Sequence, residues 1–216
     1  MASKHNNPTG DRRGIQLDPD TVLWGYRHGV FPMGDERSDQ ILWFSPDPRA
    51  VIDLDDFHVP RTLRQIIRQG KFQITLNRCF DRVIQSCADR QPTWITPAIV
   101  EAYSDLHRRQ LAHSVEAWCD GELAGGLYGV TLGAAFFGES MFHKVTDASK
   151  IALVALVRQL QHRQFTLLDI QYITRHLARF GAYTIPRSEY LKRLEQALAT
   201  EPVFAPEGQS HIGLLA

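Results

Sequence analysis

Along this chain the spacing of apolar residues alternates between the 3.6-residue period of helices and the 2-residue period of strands. Asp18-Pro19 reads as an N-cap followed by proline at the first helical position. It opens a short helix through Val22, Leu23 and Tyr26 that stops at Gly29. Residues 30–54 mix aromatics with turn prolines at Pro32, Pro46 and Pro48 and end in the strand-like Ala50-Val51-Ile52. That stretch predicts a small β-rich unit of short strands and irregular loops. Residues 60–70 predict a helix with Leu63, Ile66 and Ile67 inward and Gly70 as its stop, followed by a strand over Lys71–Leu76. Asn77 is placed to cap a helix in which Phe80, Val83, Ile84 and Cys87 recur at i, i+3, i+4 and i+7. Thr96-Pro97 opens another, running to about Gln110.

The period then shortens to two. His113–Cys119 predicts a strand, Asp120-Gly121 is a strong hairpin signal, and Glu122–Val130 is the return strand. Thr131-Leu132-Gly133 turns into a third strand, Ala134–Phe142, giving an antiparallel meander. Asp147 or a neighbour starts a helix with Leu153, Leu156, Val157 and Leu160 inward. Phe165–Gln171 predicts a strand, Thr174–Phe180 a short helix ended by Gly181, and Ser188 the cap of a last helix, Glu189–Ala197. The order of sheet and helices predicts an α+β or mixed α/β protein.

Composition narrows the class. With 216 residues, one domain or two small ones are open, and the core needs no metal or disulfide to hold it. A content of 44% hydrophobic and 22% charged residues excludes collagen-like, coiled-coil and mostly disordered chains. No stretch approaches the roughly 20 apolar residues that span a bilayer. Residues 1–16 carry no apolar run of a secretory signal and are expected to form a mobile segment. The expectation is a cytoplasmic protein with no membrane partner. Cys79, Cys87 and Cys119 are odd in number and unpaired in sequence, so free thiols are expected, and no metal site.

The net charge is zero, yet residues 60–90 hold seven cations, Arg61, Arg64, Arg68, Lys71, Arg78, Arg82 and Arg90, against only Asp81 and Asp89. Arg61, Arg64 and Arg68 fall on one helix face. Such a stripe suits a phosphate backbone, where counterion release drives binding, though a solvated helix face has the same pattern.

Two stretches place acids among apolar strand residues. Glu139 interrupts Phe137-Gly138-Glu139-Ser140-Met141-Phe142, and an inward-facing carboxylate there needs a partner. In Leu167-Leu168-Asp169-Ile170-Gln171, the acid and the amide alternate onto one strand face, where the carboxylate could orient the amide or hold a cation. Both are equally compatible with the wet face of a strand. Asp147-Ala148-Ser149-Lys150 reads as a helix start. Phosphate loops, dinucleotide fingerprints, a nucleophile elbow and H-E-x-x-H are all absent from the sequence.

In order along the chain, several stretches together resemble the bacterial leucyl/phenylalanyl-tRNA–protein transferases. They are Gly25-Tyr26-Arg27-His28-Gly29-Val30-Phe31-Pro32, Trp43-Phe44-Ser45-Pro46-Asp47-Pro48-Arg49, Thr93-Trp94-Ile95, His113-Ser114-Val115-Glu116, Gly125-Gly126-Leu127-Tyr128-Gly129-Val130, Gly138-Glu139-Ser140-Met141-Phe142, Asp147-Ala148-Ser149-Lys150 and Asp169-Ile170-Gln171. The resemblance implies an enzyme that takes leucine or phenylalanine, sometimes methionine, from its tRNA. It joins the residue to the α-amino group of proteins beginning with arginine or lysine, which creates a degradation signal. It also implies a small N-terminal domain over 17–56 and a GNAT-like acyltransferase domain over 57–216, acting as a monomer with no cofactor and no metal. Carried over by motif, Glu139, Asp169 and Gln171 stand where the family forms the peptide bond and recognises the acceptor. Tyr26 and Trp94 stand where it contacts the aminoacyl-adenosine end. Met33 occupies a position that holds a second large aromatic in some members. Arg61, Arg64, Arg68, Lys71, Arg78 and Arg82 fall near the tRNA surface.

The aminoacyl ester is already activated and an α-amine titrates at about 7.7–8.0, so no strong base is needed. An amide holds no proton near neutrality, so Gln171 is expected to position the amine while Asp169 orients Gln171. Glu139 either takes the proton or pairs with the acceptor's cation. An acetyl-CoA-dependent N-acetyltransferase would need a glycine-rich pyrophosphate turn that this chain lacks. Transferases that build cell-wall peptides are longer chains and lack these motifs. A non-catalytic tRNA-binding module would need the basic stripe without the Glu139, Asp169 and Gln171 set.

Overall fold

The computed structural model describes residues 17–35 and 40–213; the expectation of a mobile segment over 1–16 lies outside the described residues. Within them, helix α1 (Pro19–Arg27) is capped by the Asp18 carboxylate, which accepts from the Thr21 N–H at 2.9 Å. Strands β1 (Phe31–Gly34) and β2 (Ile41–Phe44) pair as a separate two-stranded ribbon. Gly25 lets that ribbon close on α1, since a Cβ there would stand 2.2 Å from the Trp43 ring.

The remaining strands make one seven-stranded mixed sheet. They are β3 (Arg49–Ile52), β4 (Gln73–Leu76), β5 (Ala112–Cys119), β6 (Glu122–Leu132), β7 (Ala135–His143), β8 (Leu167–Gln171) and β9 (Ala182–Ile185), in the order β4-β5-β6-β7-β8-β3-β9. The expected meander is β5-β6-β7, turned between β5 and β6 by Asp120 and Gly121, both at positive φ as a two-residue hairpin requires. β8 joins β7 in parallel, which obliges a long crossover, supplied by α5 (Ala148–His162). β3, which the sequence groups with the N-terminal loops, is hydrogen-bonded between β8 and β9. β9 has only four residues and no clear apolar alternation, so no sequence pattern announced it.

Helices cover both faces. α1, α3 (Phe80–Ala88), α4 (Pro97–Arg108) and α7 (Arg187–Leu198) share one core with Tyr128 and Phe137. α2 (Arg61–Arg68) and α5 share the other with Phe136, Leu168 and Phe204. Eleven of the fifteen residues of α5 are buried, because α2 and the chain around Phe204 close over its outer side. α6 (Arg175–Ala178) is a single turn. Two caps differ from expectation. Pro186, not Ser188, holds the N-cap of α7. Cys79, not Asn77, holds that of α3, while Asn77 sits at φ 57° and its side chain accepts from the Ser114 N–H at 3.0 Å. The three cysteines are free. Among the described residues no helix is long and apolar enough to cross a membrane.

Candidate active site

Two β-bulges build the site. In the β6–β7 ladder Gly129 faces Gly138 and Tyr128 faces Ser140, which leaves Glu139 as the extra residue. In the β3–β8 ladder Val51 faces Asp169 and Ala50 faces Gln171, which leaves Ile170 as the extra one. The bulge in β7 needs glycine opposite it: a Cβ on Gly129 would lie 2.3 Å from the Phe137 carbonyl oxygen. β7 and β8 pair only over 135–137 and 167–169. Beyond that stretch lies a cavity of about 490 Å³, a size ordinary for a ligand site. Gly138, Glu139, Ser140, Met141, Ile170 and Gln171 line it from the two strands, and Phe31 and Met33 from β1. Trp94, Tyr128 and Arg90 complete one side; Leu127, Leu153, Leu156, Leu168 and Leu177 make an apolar end above α5.

Glu139 faces this cavity from a shell of aromatics. Its Oε1 accepts from Tyr26 Oη at 2.5 Å and its Oε2 from Tyr103 Oη at 3.3 Å, and the two phenols lie 2.6 Å apart. Enclosure by the protein pushes the Glu139 carboxyl up to about 7, an effect the Tyr26 hydrogen bond partly offsets and the Asp169 charge reinforces. The group therefore changes charge near neutral pH.

Asp169 is anchored one layer behind the cavity. It is fully buried, and Arg49 grips it in a two-pronged ion pair, Nε to Oδ1 at 2.9 Å and Nη2 to Oδ2 at 2.6 Å. Tyr190 Oη adds a 2.8 Å bond to Oδ2. The Arg49 guanidinium is itself stacked between the Phe31 and Tyr190 rings, at 4.7 and 4.6 Å from their centroids. Asp169 does not touch the amide of Gln171, as the alternation suggests; it accepts from the backbone N–H of Gln171 at 2.9 Å. That bond holds Gln171 at φ 58°, a left-handed conformation uncommon for a side chain of this size. Nε2 of Gln171 is buried at the cavity wall and has no hydrogen-bond partner among the described residues.

A family model described as leucyl/phenylalanyl-tRNA protein transferase matches residues 51–195, and one described as the N-terminal domain of that protein matches residues 15–47. The chain belongs to this family. The leucyl/phenylalanyl-tRNA–protein transferase of Salinibacter ruber is 54% identical over 190 residues, covering 88% of this chain and 84% of that protein. The one of Herpetosiphon aurantiacus is 51% identical over 190 residues, covering 88% and 98%. Among solved structures, that of L-PGS from Bacillus licheniformis aligns at a TM-score of 0.42 with 13% identity, over 72% of this chain and 52% of that one. Family membership makes the protein an aminoacyltransferase.

For this transferase, the structure brings Met33, Trp94, Glu139 and Gln171 to one cavity. Tyr26 is fully buried and meets the cavity only through Glu139. Arg61, Arg64, Arg68 and Lys71 are exposed on or just after α2, and Arg78 and Arg82 lie over the Trp118 ring at 4.9 and 5.7 Å. None of the six is ion-paired within the described residues. No group of His, Cys, Asp and Glu among the described residues could hold a metal ion. Sequence reasoning passed over Arg49, Tyr103 and Tyr190 as site residues. Arg49 carried a usable signal: an arginine opening the apolar run Ala50-Val51-Ile52 must either snorkel or meet an acid.

Proposed function

We propose that the protein transfers leucine, phenylalanine or methionine from aminoacyl-tRNA to the α-amino group of proteins beginning with arginine or lysine. It would act as a cytoplasmic monomer and create a degradation signal. The observation that carries this reading is the idle, buried amide of Gln171, fixed by Asp169 on the wall of a cavity that Glu139 shares. A buried donor without a partner is costly to keep, which favours a substrate group as its partner.

The apolar end beside Leu153, Leu156 and Met141 accepts the amino-acid side chain. Met33 and Trp94 flank the adenosine end. Met33 packs softly on a base where an aromatic would stack. The acceptor amine, neutral in useful fraction at cytoplasmic pH, attacks the ester carbonyl from the Gln171 side. The carbon–oxygen bond to the ribose breaks, one amine proton goes to Glu139, and Glu139 returns it to the ribose oxygen, which leaves as a hydroxyl. Asp169 is consumed by Arg49, which leaves Glu139 as the acid that takes this proton. Holding the ester and the amine together supplies most of the rate.

The test is transfer of labelled leucine or phenylalanine from charged tRNA to two peptides, one starting with Arg and one with Ala. Label on the Arg peptide alone is the expected result. No label on either peptide, with tRNA still bound, overturns the reading in favour of a tRNA-binding module.

A further inference from the structure

Three cavity-lining residues carry a buried side-chain polar atom with no partner among the described residues: Gln171 Nε2, His176 Nε2 and Tyr128 Oη. Of the two that the proposed chemistry leaves unused, His176 is half-buried and Tyr128 fully buried. Tyr128 is fully buried in β6, and its ring is fixed edge-on against Phe80 and Tyr103, with centroids 5.8 Å away in each case. Polar groups around the cavity are bonded to one another rather than to this hydroxyl. Tyr26 and Tyr103 serve Glu139, and Arg90 Nη2 donates to Ser140 Oγ at 3.1 Å. Phenylalanine would fill the same space without stranding an oxygen. A stranded hydroxyl on the wall of a ligand cavity is a group waiting for the ligand.

We propose that Tyr128 is a further residue of the transfer site, whose hydroxyl forms a hydrogen bond with an oxygen of the ester-bearing terminal ribose of aminoacyl-tRNA. The inference rests on the transferase reading above. The layout of the cavity selects that group. The leucine-rich end above α5 takes the amino-acid side chain, and Met33 and Trp94 flank the base. On that reading the sugar–ester junction falls between them, and Tyr128, Ser140 and Glu139 line the same cavity. Burial, with the Glu139 charge nearby, holds the phenol well above its ordinary value, so Tyr128 serves as a donor and moves no proton.

The test is Tyr128→Phe, read by thermal denaturation and by kcat and KM for charged tRNA. The expected result is an unchanged or higher Tm, because no protein hydrogen bond is removed, with transfer lowered ~10–100-fold. Charged tRNA with a 2′-deoxy terminal adenosine locates the contact. If the partner is the 2′-hydroxyl, the deoxy substrate costs the wild type a similar factor and Tyr128→Phe nothing more. If it is another oxygen of the ribose, the two losses multiply. Turnover within twofold of wild type, or a loss that tracks a fall in Tm, overturns the proposal. An inactive wild type would count against the transferase reading itself, whereas an active wild type matched by Tyr128→Phe would count against Tyr128 alone.

Discussion

Two carboxyls, Glu139 at the cavity and Asp169 one layer behind it, sit under opposite electrostatics. Asp169 is neutralised by Arg49 and hydrogen-bonded by Tyr190, whereas Glu139 is hydrogen-bonded by two phenols and has no ion pair among the described residues. Breaking the buried pair leaves an uncompensated charge, so Arg49→Ala or Asp169→Asn is expected to cost ~3–5 kcal/mol in denaturant unfolding. Loss of activity in Asp169→Asn therefore reports folding as much as chemistry. Glu139 has its folded value raised from 4.5 to about 7. Between those values the unfolded chain has lost the proton and the folded one keeps it, so stability falls as pH rises through that window. Glu139→Gln is expected to lack this slope when unfolding is compared at pH 5 and pH 7.5. If Glu139 accepts the amine proton, transfer by the wild type rises with pH through about 7 more steeply than the amine's own titration at about 7.7–8.0 explains, and Glu139→Gln is slow and keeps only the amine's share of the rise. The two acids were legible as misfits in apolar strands. Their partners were not, because Arg49 and Asp169 are 120 residues apart in sequence and no local pattern links them.

The strands and helices followed their periodicities closely, since each buries one recognisable face. α3 buries Phe80, Val83, Ile84 and Cys87, the four residues its spacing marked. The bulges were the hidden part. β7 reads as a continuous strand in sequence, yet the extra residue at Glu139 decides where that carboxyl points. A bulge leaves no trace in alternation unless glycine is noticed across from it, and Gly129 is that signal. Gly129→Ala is expected to destabilise the fold by ~1–3 kcal/mol or more and to lower transfer beyond what the folded fraction explains. Circular dichroism melts alongside the transfer assay check it. β9 stayed invisible because a four-residue edge strand owes its place to β3 rather than to its own sequence.

For the molecule as a whole, a neutral net charge conceals a lopsided surface. Arg61, Arg64 and Arg68 stand exposed along α2, with Lys71, Arg78 and Arg82 following. If this surface holds tRNA phosphates, replacing the three α2 arginines by alanine weakens tRNA binding and reduces the slope of log Kd against log salt by ~0.7–0.9 per lost contact. In that case KM for charged tRNA rises and kcat changes little; a salt titration of binding decides. The sequence motifs carried the family, and hydrophobic patterning carried the layers. The cavity itself was illegible, since it exists only where β7 and β8 stop pairing and β3 inserts beside β8.

The central claim is that Gln171 positions the attacking amine. Single-turnover transfer from charged tRNA to an Arg-terminated peptide by Gln171→Ala, with tRNA affinity and Tm measured on the same protein, tests it most directly. The expected result is transfer slowed by at least tenfold at saturating tRNA, with affinity and Tm near wild type. Transfer at the wild-type rate would contradict the account.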